Sequence, residues 1–443
     1  MLLGGRQDRV ESVEDIAQAH SGKEIIRNSP LALCIIVENM SVPRDPRVWR
    51  EAVTLTDAGY RVSVICPKSR EFPRSYEVLD GVEIYRHSRW EAKGLIGYLL
   101  EYTWALAMEL FLAVKVFVRS RFQILQACNP PDTIFLIALF FKLMGVRFIF
   151  DQHDPAPEFF QARFHGRNLL YRLVCLAERF TFRTAAVALV TNQSCKEIAT
   201  GRGGVKPENC FIVRNCPDLK KFPPQMGRPE LKQGRPNLVI YVGVMGSQDG
   251  IDLLVSSIDY LINKMHRTDA FFVLLGDGAE RRPQETRVRK LGLDKWVKFT
   301  GPLYGNDLRS YLASADIGVS PDPSNVFNDK LTMIKIFEFM AYGLPVVLFD
   351  LIEGRRSAGD AALYAANNDP VSFAEQIAML LDSESLRRTL GAIGRKRVET
   401  GLNWDIEKQA LLQAYETAVR GLRPRTEVGP QSPAGAAERK VPV

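Results

Sequence analysis

From residue 31 onward, short β-branched runs alternate with amphipathic helical segments, and the alternation occurs twice, broken once by a stretch without apolar period. Such a pattern folds as parallel sheet covered by helices on both faces. Strands are expected at 31–38, 61–66, 82–85, 122–127, 147–151, 187–191 and 210–213, then at 238–243, 271–276, 297–301, 316–320 and 345–349. The break, 214-RNCPDLKKFPPQMGRPELKQGRPN-237, is rich in Pro, Gly and Lys and reads as a linker. The expected class is α/β: two Rossmann-like doubly wound domains, over 30–214 and 238–402, joined by 215–237 and facing across a cleft. A length of 443 residues suits two cores. Ligands of such sheets sit outside the carboxyl ends of the strands, which here means the cleft.

The flanks differ from this body. Residues 1–29 carry charge from Arg6 onward and lack an apolar export signal, and 422–443 lack periodicity, so both read as flexible tails of a cytoplasmic protein. Between body and tail, 403–421 is a helix with an Asn cap and an apolar stripe at Ile406, Ala410, Leu411, Ala414 and Ala418.

Charge narrows the partners. A formal net charge of +7 suits nucleic acid, an anionic membrane or a phosphorylated small molecule, and no zinc-knuckle, aromatic RNA-binding or Arg-rich pattern supports the first. Seven cysteines without CxxC spacing read as reduced core thiols and not as a metal site. The segment 94-GLIGYLLEYTWALAMELFLAVKVFV-118 is almost long enough to span a bilayer, but Glu101, Glu109 and Lys115 interrupt it. A buried or interfacial helix is expected there, with peripheral contact to an anionic membrane.

One carboxylate stands out. In 328-NDKLTMIKIFEFMAYGLPVV-347, Glu338 sits within an apolar run that leads directly into a buried strand. A local pair with Lys335, three residues earlier, is one reading. The other is that a carboxylate so placed awaits strong donors such as ligand hydroxyls. His153 follows the strand 147–151, and the choice between a structural imidazole and a cleft-facing one stays open from the residues alone. The loop 40-MSVPRDPRV-48 is either a Pro-stiffened turn with a surface Arg–Asp pair or the frame of a ligand. The glycines of 275-LGDGAE-280 fail the dinucleotide fingerprint, since Arg281 occupies the place of the third glycine, which disfavours a nicotinamide oxidoreductase.

The run from Glu338 to Val347 resembles the E-x-M-A-x-G-x-P-V-V signature of the retaining, nucleotide-sugar-dependent glycosyltransferases of family 4, which have the GT-B fold. Further segments resemble that family in order along the chain: 42-VPRDPRVWREAVTLTDAGYRVSVICP-67, 151-DQHDPAPEFF-160, 276-GDGAE-280, 299-FTGPL-303 and 353-EGRRSAGDAALYA-365.

The resemblance implies that Glu338 accepts hydrogen bonds from the donor ribose, that His153 contacts the donor sugar, and that Gly243, Gly276, Asp277, Gly278 and Thr300 line the nucleotide. It implies that Arg44, Asp45 and Arg47 frame an acceptor, and that the helix at 403–421 crosses back to the first domain. Two departures qualify it. Lys330 stands eight residues before Glu338 where the family carries a second acid, with Asp329 as a possible stand-in. The loop 243-GVMGSQDGIDLL-254 lacks the family's Arg and Lys, so Arg214, Lys330, Lys335 and the helix start at Thr332 and Met333 are the candidates for the diphosphate.

The function so implied is transfer of a sugar, with retention, from a nucleoside-diphosphate sugar to a glycan or lipid-linked acceptor in cell-surface polysaccharide biosynthesis. Neither metal nor other cofactor is expected, and the setting is cytoplasmic, peripheral at the inner membrane face. A GT-B sugar-nucleotide epimerase, recruiting Asp154, Glu158 and Asp322, and a non-catalytic two-domain binding protein are the alternatives.

Overall fold

The computed structural model describes residues 30–88, 94–164, 168–223, 225–420 and 422; the expected tails, Leu422 apart, lie outside the described residues. The first domain holds β1 (Ala32–Ile36), β2 (Arg61–Pro67), β3 (Tyr76–Leu79), β4 (Val82–His87), β5 (Ile124–Cys128), β6 (Arg147–Gln152), β7 (Val187–Val190) and β8 (Cys210–Ile212). Their order across the sheet is β3-β4-β2-β1-β5-β6-β7-β8, parallel except for β3 against β4. The second domain holds β9 (Asn237–Val242), β10 (Ala270–Leu275), β11 (Val297–Gly301), β12 (Ile317–Ser320), β13 (Val346–Phe349) and β14 (Ala362–Ala365). These run parallel in the order β11-β10-β9-β12-β13-β14. Each sheet is doubly wound, reversing direction between β1 and β5 and between β9 and β12, where binding crevices form. Two strands, β3 and β14, are additions to the sequence expectation.

Helices cover both faces of both sheets, so every residue of β1 and β10 is buried. The last helix, Trp404–Val419, does not stay with the second domain. Its Leu411, Ala414, Tyr415 and Ala418 join Val48, Leu55, Val187 and Leu189 in a first-domain core. Tyr415 donates its hydroxyl to Gln126, and Trp404 Nε1 donates to Thr54 Oγ1 at 3.0 Å. Among the described residues no helix is long and apolar enough to cross a membrane.

The carboxyl edges of the two sheets face one another through specific contacts. Asn192, after β7, donates to the Lys330 carbonyl at 2.8 Å and to Thr332 Oγ1 at 3.1 Å. Glu353 accepts the Ser194 amide at 3.0 Å, and the Phe159 and Phe327 rings meet edge to face at 5.2 Å.

The 40–48 loop corrects the sequence expectation in two places. Asp45 is the N-cap of the helix Pro46–Asp57, accepting from the Arg47 and Val48 amides, so its carboxylate is engaged locally. Arg47 is only 3% exposed and turns inward. Its Nη2 and Nε donate to Asp151 at 2.6 and 3.1 Å, its Nη1 to the Val213 carbonyl at 2.6 Å, and Glu51 lies 3.2 Å away. Arg47 therefore neutralises acids beneath the cleft and frames no acceptor; a bidentate guanidinium suits that burial better than a surface pair. Removing one partner of a buried pair costs about 3–5 kcal/mol, and replacing both costs far less. Arg47→Met should thus lower urea-unfolding stability by about that amount, with most of the loss recovered only when both acids are replaced as well, by Asp151→Leu and Glu51→Gln.

Candidate functional site

Two glycines fix the floor of the crevice on the second domain. Gly276, ending β10, has φ +140°, and a Cβ there would stand 1.8 Å from the Gly243 carbonyl oxygen. Gly250 has φ +66°, and a Cβ there would stand 1.9 Å from the Pro321 oxygen. Only glycine permits these approaches, so the loop 243–250 is pressed against both the 276–278 turn and the segment after β12. Met245 donates its amide to the Asp277 carbonyl at 3.0 Å, and Asn328 donates Nδ2 to the Gln248 carbonyl at 2.9 Å.

Charge in this crevice is arranged differently from the sequence expectation. Lys335, 8% exposed, pairs with Asp322, not with Glu338: its Nζ lies 2.8 and 3.1 Å from the two carboxylate oxygens. It also sits 4.7 Å from the centroid of the Tyr241 ring. Burial opposes its charge, yet Asp322 more than compensates and the Lys335 pKa is raised. Asp249, in the loop where relatives of the resembling family carry Arg and Lys, is pushed up to about 6 by burial, against the pull of Lys335. The cation of the crevice therefore rises from the helix Ile334–Ala341 and not from the loop.

Glu338 lies on that same helix, half-buried, and among the described residues neither of its carboxylate oxygens takes a hydrogen bond. Burial pushes its pKa up to about 7, with Arg50 and Lys335 pulling the other way. Arg50 belongs to the first domain, where its guanidinium reaches Asn215 and the Cys216 carbonyl and lies 5.2 Å from the Trp404 ring.

The remaining expected residues are distributed unevenly. The helix starts at Ile334, with Met333 as its N-cap, so Thr332 precedes it and bonds across the cleft to Asn192. Asp329 accepts from Ser324 Oγ at 3.5 Å, and Lys330 forms no ion pair among the described residues. Arg214 is compensated by Glu407, 3.1 Å from its Nη1, so its charge faces the crossing helix. Thr300 donates to the Gly301 carbonyl at 2.7 Å, and the exposed Arg44 donates to the Tyr304 hydroxyl at 3.0 Å, joining the two domains.

Across the cleft, His153 follows β6. Its Nε2 lies 2.8 Å from Asp151 Oδ2, so Nε2 carries the hydrogen and Nδ1 is the ring's second polar atom. Burial disfavours its charge, but Asp151 outweighs this and raises the His153 pKa; Asp151 itself, though burial opposes ionisation, is held well below the usual carboxylate range by Arg47 and His153. Asn129 Oδ1 accepts the His153 amide at 2.7 Å and so fixes the turn. Asp151, Asn129, Asp249 and Arg50 were invisible as site residues in the sequence. The one available signal was position, since Asp151 and Asn129 lie at or just after the carboxyl ends of strands.

Comparison with known proteins accords with this geometry. A family profile described as "Glycosyl transferase 4-like domain" matches residues 45–216, and one described as "Glycosyl transferases group 1" matches 236–383. The sulfoquinovosyl transferase SQD2 of Arabidopsis thaliana is 24% identical over 298 residues, 65% of this chain and 55% of that protein. The MMP α-(1→4)-mannosyltransferase of Mycolicibacterium hassiacum is 24% identical over 291 residues, 62% of this chain and 66% of that protein. The chain thus spans about half to two thirds of these relatives' lengths. Among solved structures, the sucrose-phosphate synthase of Thermosynechococcus elongatus superposes with a TM-score of 0.72 at 18% identity, over 88% of this chain and 99% of that one. Anabaena HepE in complex with UDP and glucose superposes with a TM-score of 0.67 at 13% identity, over 87% and 100%. Glycosyltransferase profiles match both halves, and the fold is shared along nearly the whole body. The chain belongs to the family 4 glycosyltransferases with the GT-B fold.

Proposed function

We propose that the chain transfers a sugar, with retention, from a nucleoside-diphosphate sugar held on the second domain to an acceptor held on the first. The observation that carries this reading is Glu338: a half-buried carboxylate without a hydrogen bond among the described residues, beside a crevice whose floor is backbone. Ribose hydroxyls supply the donors it lacks. Anabaena HepE, which shares the fold, has been solved with UDP-glucose. Lys335, Lys330 and the amides at the start of the helix Ile334–Ala341 are the proposed counter-charges for the diphosphate, with no metal required there. His153, held by Asp151, faces the donor sugar in this reading. The leaving phosphate takes the acceptor proton, so catalysis rests on positioning and charge stabilisation.

The acceptor is proposed to be a glycan or a lipid-linked sugar presented at the inner face of a membrane. The support is a set of exposed apolar side chains on three first-domain helices, Phe111, Val118, Leu143 and Leu169, which are 62, 64, 90 and 72% exposed. Exposed Lys142, Arg172, Arg179 and Arg183 share those helices, a combination suited to anionic headgroups.

A panel of UDP-, GDP-, ADP- and dTDP-sugars should include one that raises the Tm, the rise persisting in chelator and disappearing in Glu338→Ala. Because Glu338 must be ionised to accept the ribose hydroxyls and holds its proton up to about pH 7, donor affinity should fall below that pH, by at most about tenfold per unit. Glu338→Gln should bind weakly and without that pH dependence. Sedimentation with phosphatidylglycerol vesicles should bring down the wild-type chain and leave Phe111→Glu/Leu143→Glu in solution; equal sedimentation of both removes the membrane part of the proposal.

A further inference from the structure

A second group of titratable side chains lies in the first domain, outside the donor chemistry. Glu38 follows β1, His87 ends β4, and Glu109 reaches in from the helix Gly94–Ser120. One ligand-type atom from each lies within 4.8 Å of the others, and His87 Nε2 stands 3.3 Å from Glu38 Oε2. His87 and Glu109 are 3% and 1% exposed, whereas the Glu38 side chain is 12% exposed and marks the way in.

Protein groups alone leave this cluster unsatisfied. Both Glu109 oxygens, Glu38 Oε2 and His87 Nε2 are buried without a hydrogen-bond partner among the described residues. Burial, reinforced by Glu38, pushes the Glu109 carboxyl well above its usual range. The imidazole sharpens the conflict. His87 Nδ1 lies 3.2 Å from the Ser88 carbonyl oxygen, so Nδ1 carries a hydrogen, and in the neutral ring Nε2 turns its lone pair toward the two carboxylates. Lone pair facing carboxylate is repulsive, and a backbone carbonyl on the far ring nitrogen is how proteins orient an imidazole toward a metal.

We propose that Glu38, His87 and Glu109 bind a divalent cation through Nε2 and two carboxylate oxygens, with a coordination position open on the Glu38 side. One imidazole and two carboxylates suit Zn²⁺ or Mn²⁺. Cys34 on β1 is not among the ligand-type atoms that converge here. The other comparable group, Cys128, Asp151 and His153, needs no ion, because Arg47 already supplies Asp151 with a full positive charge at 2.6 Å. The cation site lies in the first domain, separate from the proposed diphosphate site on the second, and stands whether or not the chain transfers sugar.

The test uses the full chain stripped with EDTA, titrated calorimetrically with Zn²⁺ and with Mn²⁺, and assayed for metal per chain after desalting. One equivalent of one of these ions should bind and raise the Tm, with affinity at least tenfold weaker in Glu109→Gln and His87→Gln and unchanged in His153→Asn. Glu38→Gln, at the most exposed of the three, should show the same weakening and covers the case in which a buried variant misfolds. The proposal is overturned if the wild-type chain binds neither ion, if binding survives Glu109→Gln, or if it is lost in His153→Asn. A wild-type chain that binds no metal, with a Glu109→Gln variant more stable in EDTA, would instead identify a proton shared by two carboxyls.

Discussion

An acid taken out of water must be compensated, and the two domains meet this constraint in different ways. Beneath the first-domain cleft Arg47 answers Asp151 with two hydrogen bonds, and Asp151 then holds His153. Those contacts fix the imidazole through Nε2 and leave Nδ1 as its second polar atom. In the second domain Asp322 holds Lys335 within the crevice, while the Glu338 carboxylate, three residues further along the helix, takes no hydrogen bond from the described residues. An open acid suits a hydroxyl-bearing ligand, because the ligand then completes the site instead of displacing a protein partner.

Both arrangements depend on how the sheets are presented. The crevices lie where each sheet reverses direction, between β1 and β5 and between β9 and β12. The helix Trp404–Val419 is rooted in the first-domain core, and Asn192 and Glu353 bridge the carboxyl edges. The chain therefore crosses between domains twice, at the linker and at this helix.

Much of the fold was legible because periodicity is local. Buried parallel strands read as apolar runs, and 33-LCIIV-37 and 271-FFVLL-275 could hardly be anything else. The strands β3 and β14 escaped because Tyr76–Leu79 and Ala362–Ala365 are four residues long and lack an all-buried pattern. Glu338 was legible because a carboxylate interrupts an apolar helix. Its surroundings were not, since Lys335 finds its acid 13 residues back, across a loop, at Asp322. Arg47 was misread for the same reason. Asp45 is its neighbour in sequence, but its partner Asp151 lies 104 residues away, and only packing brings them together.

The loop 243–250 shows how a departure in sequence can be a relocation of charge. Asp249 stands in a loop that carries Arg and Lys in the resembling enzymes, and Lys335 reaches the same crevice from the helix below. The most direct measurement is a crystal structure of the full chain with a nucleoside diphosphate. It should place the ribose hydroxyls about 2.6–3.2 Å from Glu338 and the diphosphate beside the Gly243 backbone and Lys335. A nucleotide bound with its ribose away from Glu338, or held on the first domain, would contradict the assignment of the donor site.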